Sequence, residues 1–120
     1  MPETSNIVDL LQAGIKAQGL RQQTIASNIA NMGTPGYQRI DTKFEELLAD
    51  ALDSPSGLDL DEVEPEIYHP QNTPVNSNGN DVNLELEIGE LVKNSLSHTA
   101  YVRLLNKKFS QIEQAIDVRA

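Results

Sequence analysis

The chain has 120 residues, a net charge of −9, no cysteine, no tryptophan and only 4% aromatic residues. That length fits one small domain, and the missing thiols remove disulfides, thiolate nucleophiles and thiolate metal sites. So few large side chains argue against a thick globular core and for an elongated shape with thin helix-to-helix contacts.

The charge is unevenly placed. Residues 41–90 hold fourteen of the eighteen acids and a single base, Lys43, so the two ends together are basic and the middle is strongly acidic. This balance excludes electrostatic attraction to nucleic acid; the acidic middle either stays solvated or faces a basic partner. The N-terminus has no basic segment followed by a long apolar run, so no cleaved secretory signal is expected. No stretch approaches the ~20 apolar residues of a membrane span.

In chain order, residues 6–32 read as a helix, with residues 1–5 expected to be loose. Val8, Leu11, Ile15, Ile25, Ile29 and Met32 recur in alternating steps of three and four, and Gln18 and Gln22 fill the two middle positions. That is the seam of a coiled coil. Gly14 and Gly19 weaken it by roughly 1 kcal/mol each relative to Ala, so the helix is marginal alone. Asn31-Met32-Gly33 offers a left-handed cap and Pro35 forbids continuation. Thr34-Pro35-Gly36-Tyr37 suits a type II turn, with proline fixing the first central dihedral and glycine allowing a positive one at the second.

A short helix is expected at 42–52, with Thr42 and Glu45 as a capping box and Phe44, Leu47, Leu48, Ala51 and Leu52 on one face. Ser54-Pro55-Ser56-Gly57 ends it, and 54–80 reads as irregular, with short extended pieces near Ile67-Tyr68. Residues 82–118 form the strongest element. Asp81 or Asn83 caps it, and Glu85, Glu87 and Glu90 suit the positive end of its dipole. Its seam runs Leu84, Ile88, Leu91, Ser95, His98, Val102, Leu105, Phe109, Ile112, Ile116. At 1.5 Å per residue the helix is about 55 Å long and needs a long partner.

The two stripes match in antiparallel order: Val8 with Phe109, Leu11 with Leu105, Ile15 with Val102, Gln18 with His98, Gln22 with Ser95, Ile25 with Leu91, Ile29 with Ile88 and Met32 with Leu84. The polar interruptions then face each other, which fixes register, because an unpaired buried polar group costs roughly 1–3 kcal/mol. The expected fold class is all-α, an antiparallel coiled-coil hairpin of long terminal helices around a largely irregular acidic segment with one short helix. Residues 1–32, 33–81 and 82–120 are its N-terminal helix, connector and C-terminal helix within one domain. Ile112 and Ile116 overhang, and Leu10, Leu20, Val92, Leu96, Ala100 and Leu104 lie off the seam, so further helix neighbours are expected.

No constellation points to catalysis. His98 reads as a packed polar residue, and His69 has no second ligand nearby. Asn76 to Asp81 has the glycine of a calcium loop, but Pro74 falls where the first acid is needed, so the segment reads as a turn and helix cap. The acids Asp59, Asp61, Glu62, Glu64 and Glu66 form a solvated charge run without an apolar pocket. No phosphate-binding glycine loop and no nucleophile motif are present. No metal, cofactor or small-molecule substrate is expected, and the reading is a structural subunit rather than an enzyme.

The segment Ser27-Asn28-Ile29-Ala30-Asn31, two variable residues, then Thr34-Pro35-Gly36-Tyr37 resembles the N-terminal signature of the flagellar rod, hook and hook-associated axial proteins. The short middle, together with Gly79 to Glu87, Asn94-Ser95-Leu96 and Leu105 to Phe109, is similar to the proximal rod members of that family. The resemblance implies a subunit exported by the flagellar type III apparatus and polymerised into the periplasmic, torque-transmitting rod of the basal body. The implied partners are itself, other rod proteins, the rod-to-MS-ring adaptor and the export apparatus. A second proximal rod type and a helical export chaperone are the alternatives.

Overall fold

The computed structural model describes the backbone of residues 2–53 and 63–119, and the side chains of residues 7–50, 53 and 63–117. The expected turn at 54–57 and the acids at 59, 61 and 62 lie outside these residues. In chain order, the elements are helix α1 (Pro2–Ala30), strand β1 (Asp41–Lys43), helix α2 (Glu45–Asp53), strand β2 (Glu66–Tyr68) and helix α3 (Leu84–Arg119). The fold is mainly helical, and the two long terminal helices pack against each other. The molecule measures 67 × 30 × 14 Å, with a radius of gyration of 18.3 Å. A globule of this length would have about 14 Å, so the expected elongation is present.

α1 starts at Pro2 rather than residue 6, a position where proline's missing N–H costs no helical hydrogen bond. It does not end in a left-handed cap, because neither Asn31 nor Gly33 has a positive φ. Its last carbonyls are taken instead by tightened turns, Asn31 N–H to Asn28 O at 3.2 Å and Met32 N–H to Ile29 O at 3.3 Å. Side chains complete the cap: Asn31 Nδ2 donates to Ser27 O at 2.8 Å, and Asn80 Nδ2 donates to Asn31 O at 2.9 Å. The Thr34–Tyr37 turn closes as expected, with Tyr37 N–H on Thr34 O at 3.2 Å and Gly36 at φ 76°.

The capping box on α2 does not form. Thr42 lies in β1, where its hydroxyl accepts Arg21 Nε–H at 3.2 Å, and α2 begins at Glu45. Two short strands stand in the connector: β2 falls where an extended piece is expected near Ile67-Tyr68, and β1 takes Thr42 and Lys43 from the start of the expected helix. β1 and β2 pair antiparallel, Asp41 opposite Tyr68, Thr42 opposite Ile67 and Lys43 opposite Glu66. The Lys43 ammonium sits 4.7 Å above the Tyr68 ring. α3 is capped by Asn83, whose Oδ1 accepts Leu86 N–H at 3.1 Å.

The apolar core is thin. Leu11, Ala17, Ile25, Phe44 and Val82 are its buried members, and they are outnumbered by buried polar side chains. Hydrogen bonding therefore has an unusually large share in deciding how the helices face each other.

Candidate functional site

The signature residues fold into a polar knot at one end of the hairpin. Asn28 is fully buried. Its Nδ2 donates to Ile40 O at 2.8 Å and to Glu87 Oε2 at 3.2 Å. Its Oδ1 accepts Ile40 N–H at 2.9 Å and the Tyr37 hydroxyl at 3.1 Å. Ser27 Oγ lies 3.2 Å from the same Tyr37 oxygen and donates to it, since the tyrosine proton is already engaged. All four hydrogen-bonding positions of the Asn28 amide are filled, as a buried amide requires.

Glu87, also fully buried, ties this knot to α3. Arg39 Nε donates to Glu87 Oε1 at 2.7 Å, and both side chains are almost free of solvent. Arg39 Nη1 reaches Asn72 Oδ1 at 3.3 Å, and its backbone N–H donates to Asp81 Oδ1 at 2.6 Å. Asn80, buried beside it, donates to Thr34 O at 2.8 Å and accepts Val82 N–H at 2.8 Å. Gly36 N–H donates to Asn78 O at 2.9 Å, and Gly79, at φ 85°, packs so closely that a Cβ there would lie 3.3 Å from Gly36 Cα. The Thr-Pro-Gly-Tyr turn and the Asn-Gly-Asn-Asp turn are thus two halves of one joint.

The knot sets the rotation of both helices. Asn28 meets Glu87 where the periodicity predicts Ile29 against Ile88, and Gly14 meets Tyr101 where it predicts Ile15 against Val102. Asn94 Nδ2 donates to Gln18 O at 3.0 Å and Gln22 Oε1 at 2.9 Å, so within the chain Gln18 is partnered by Asn94 rather than His98. Leu11, Gln18 and Ile25 are buried, and Val8, Ile15, Ile29, Leu91, Val102 and Leu105 are half-buried. Gln22, Met32, Leu84, Ile88, Ser95, His98, Phe109, Ile112 and Ile116 are exposed. The physical cause is Glu87. Once the ion pair with Arg39 turns it inward, Asn94, Tyr101 and Lys108, spaced by sevens from it, turn inward too. Gly14 makes room for the Tyr101 ring.

Comparison with known proteins follows this geometry. The model of the family described as "Flagella basal body rod protein" matches residues 11–38, the stretch running through the α1 face and the knot's first turn. The flagellar basal body rod protein FlgB of Bacillus subtilis is 25% identical over 121 positions, covering 93% of this chain and 94% of that protein. FlgB of Borreliella burgdorferi is 27% identical, covering 82% of this chain and 86% of its own length. FlgB of Buchnera aphidicola is 31% identical over 109 positions, covering 77% and 80%. The chain belongs to the FlgB family of flagellar basal body rod proteins. That makes it a structural protein of the flagellar basal body rod.

In this FlgB-family chain the signature therefore has a structural reading. Asn28, Tyr37, Ser27, Asn31, Thr34 and Gly36 carry the turn from α1 back to α3, and Pro35 presets it. Ile29 and Ala30 belong to the last turn of α1, one half-buried and one exposed. Beside the knot, Arg21 binds Glu45 through two bonds, Nη1 to Oε1 at 2.7 Å and Nη2 to Oε2 at 2.9 Å. This hydrogen-bonded guanidinium holds the Glu45 carboxyl below its ordinary value, and Glu45 in turn raises the Arg21 guanidinium. The residues that sequence periodicity missed are Glu87, Arg39, Asn80, Asp81 and Asn94. Heptad spacing of 14, 21 and 28 on α1, and of 87, 94, 101 and 108 on α3, was the available signal.

The rotation has a second effect. With Glu87, Asn94 and Tyr101 turned in, the apolar residues Ile88, Val92, Leu96, Phe109 and Ile116 are left on the solvent side of α3, Leu96 at 68% exposure. Single exposed aliphatics are ordinary, but a helix-long set is the mark of an interaction face.

Proposed function

We propose that this chain is a proximal rod subunit that polymerises through the outward face of α3, building the torque-transmitting shaft of the flagellar basal body. The observation that carries the reading is the exposed apolar set Ile88, Val92, Leu96, Phe109 and Ile116 on a 36-residue helix whose opposite face is already occupied by α1. Burying a Val, Leu, Ile or Phe side chain is worth ~1.5–3 kcal/mol. Neighbouring subunits that cover these half-exposed residues gain a large part of that.

The same reading accounts for the seam residues left at the surface. Leu84, Ile88, Ser95, His98, Phe109, Ile112 and Ile116 meet helices of neighbouring copies or of other rod proteins, while Val8, Leu11, Ile15, Gln18, Ile25, Ile29, Leu91, Val102 and Leu105 serve the hairpin. Residues 1–32, 33–81 and 82–120 act as one domain of two arms and a connector. The thin apolar core suits export in an unfolded state by the flagellar type III apparatus, with folding completed on assembly beside the rod-to-MS-ring adaptor in the periplasm.

The test is a pair of surface substitutions, Val92→Glu and Leu96→Glu. Both chains are expected to keep the helical circular dichroism of the parent and to be lost from purified basal bodies. Incorporation at the parental level would overturn the reading.

A further inference from the structure

The joint between the two turns contains one peptide bond with a chemistry of its own. Asn78 is the only asparagine of the chain that is followed by glycine. In such a pair the glycine backbone nitrogen can attack the carbonyl carbon of the asparagine side chain, because no Cβ hinders the approach and the glycine backbone turns freely. The new N–C bond closes a succinimide ring and ammonia leaves. Water then adds to either ring carbonyl. One opening gives aspartate; the other gives isoaspartate, in which the main chain runs through the former side-chain carbon. Nothing is oxidised or reduced; one water is consumed and one ammonia released.

The fold holds every participant in this reaction. The attacking group, Gly79 N–H, donates to Asn76 O at 2.9 Å. The attacked amide is tied by its oxygen, Asn78 Oδ1 accepting Asn80 N–H at 3.1 Å. The carbonyl between them, Asn78 O, accepts Gly36 N–H at 2.9 Å. Gly79, at φ 85°, is pressed against Gly36. Ring closure has to turn Asn78 about ψ and χ1, and these three bonds fix both dihedrals. Asn78 is exposed, so water reaches it, and geometry rather than burial holds the reaction back.

We propose that Asn78 is a self-modification site guarded by the closed joint: the chain deamidates there while the joint is open and is protected once it shuts. The product acts back on the joint. Isoaspartate puts an extra methylene into the main chain between Asn76 and Asn80, and it turns the carbonyl that served Gly36 into a carboxylate off the main chain. Either product adds one negative charge to a chain of net charge −9. An open chain is thus marked at the position that closure needs, and the mark grows with the time spent open. This does not depend on assembly through α3. For a subunit that waits unfolded before it assembles, the mark records its age and disfavours its folding.

The full parent chain is incubated in mildly alkaline buffer across a urea series. Circular dichroism gives the folded fraction, and fragmentation mass spectrometry of peptides containing Asn78 gives the conversion. Reaction through an open state tracks the population of that state, so conversion at Asn78 should rise with the unfolded fraction, by at least about tenfold from native buffer to the unfolded plateau. Gly36→Ala strains the joint and leaves Asn78-Gly79 intact. It should convert faster than the parent in native buffer and at the parental rate on the unfolded plateau. The converted chain, separated by ion exchange on its added charge, should unfold at lower urea than the unconverted one. Conversion indifferent to urea, conversion at Asn76 or Asn94 with Asn78 unchanged, a Gly36→Ala chain no faster than the parent in native buffer, or a converted chain with the parental midpoint overturns the proposal.

Discussion

Asn28→Ala is the sharpest probe of the knot. The side chain makes four hydrogen bonds: to Ile40 O at 2.8 Å, Glu87 Oε2 at 3.2 Å, Ile40 N–H at 2.9 Å and the Tyr37 hydroxyl at 3.1 Å. The three neutral bonds are worth about 1 kcal/mol each and the one to a carboxylate about 1.5–3 kcal/mol, so truncation should cost about 4.5–6 kcal/mol. Most of a small domain's stability is only about 5–15 kcal/mol, so the effect is large. Urea unfolding followed by far-ultraviolet circular dichroism reads it. Asn28→Asp is the control. It keeps the shape and the acceptor oxygens, removes both donors and sets a second carboxylate against Glu87. Two like charges raise the new group's folded-state pKa above its unfolded value, so its cost grows as pH rises. Relative to Asn28→Ala, it should be more stable at pH 5 than at pH 7. A loss below about 1 kcal/mol for Asn28→Ala, or no pH effect from Asn28→Asp, would refute the reasoning.

Other substitutions test separate parts of the account. Gly36→Ala should cost about 1–2 kcal/mol in the same unfolding assay, because φ 76° is a left-handed conformation. Gly79→Ala should cost more, because its new Cβ would also press on Gly36 Cα at 3.3 Å. Gly19→Ala, with open space around it on an exposed helix position, should stabilise by ~0.5–1 kcal/mol, whereas Gly14→Leu should destabilise because Tyr101 occupies the space. Glu45→Gln tests the Arg21 pair. The guanidinium lowers the Glu45 carboxyl in the folded state, so the stabilisation is complete above about pH 5 and fades as pH falls below about 4. Glu45 is 64% exposed, so its loss should cost less than about 1 kcal/mol at pH 7, with a flatter acid limb below pH 4.

The long elements were legible because local chemistry and global fold agree in them. Pro35 and Gly36 dictate a type II turn wherever they stand, and the sevenfold spacing of aliphatics on residues 84–116 survives as α3. The helix faces were less legible. Periodicity assigns Ile88, Ser95 and Phe109 to the seam because it scores hydrophobicity, and it has no means of seeing that Glu87 is neutralised by Arg39 from 48 residues away. Nor could it place Asn94 or Asn80 inside, since their partners are far along the chain: Gln18 O and Gln22 Oε1 on α1 for Asn94, and the carbonyls of Asn31 and Thr34 for Asn80. Thr42 reads as a cap from its spacing to Glu45, but Arg21 competes for its hydroxyl once α1 folds alongside. The strands were faint because three-residue pairs carry little sequence pattern. The candidate assembly face was visible only as surplus apolar residues; the turn of Glu87 into the knot decides which of them remain outside.

A cryo-electron microscopy map of isolated basal bodies tests the central claim most directly. The account predicts this chain within the rod, with Arg39 still paired to Glu87 and with Ile88, Val92 and Leu96 covered by neighbouring helices. A rod-bound chain with those three side chains facing solvent, or with Glu87 turned away from Arg39 and Ile88 packed on α1, would contradict it.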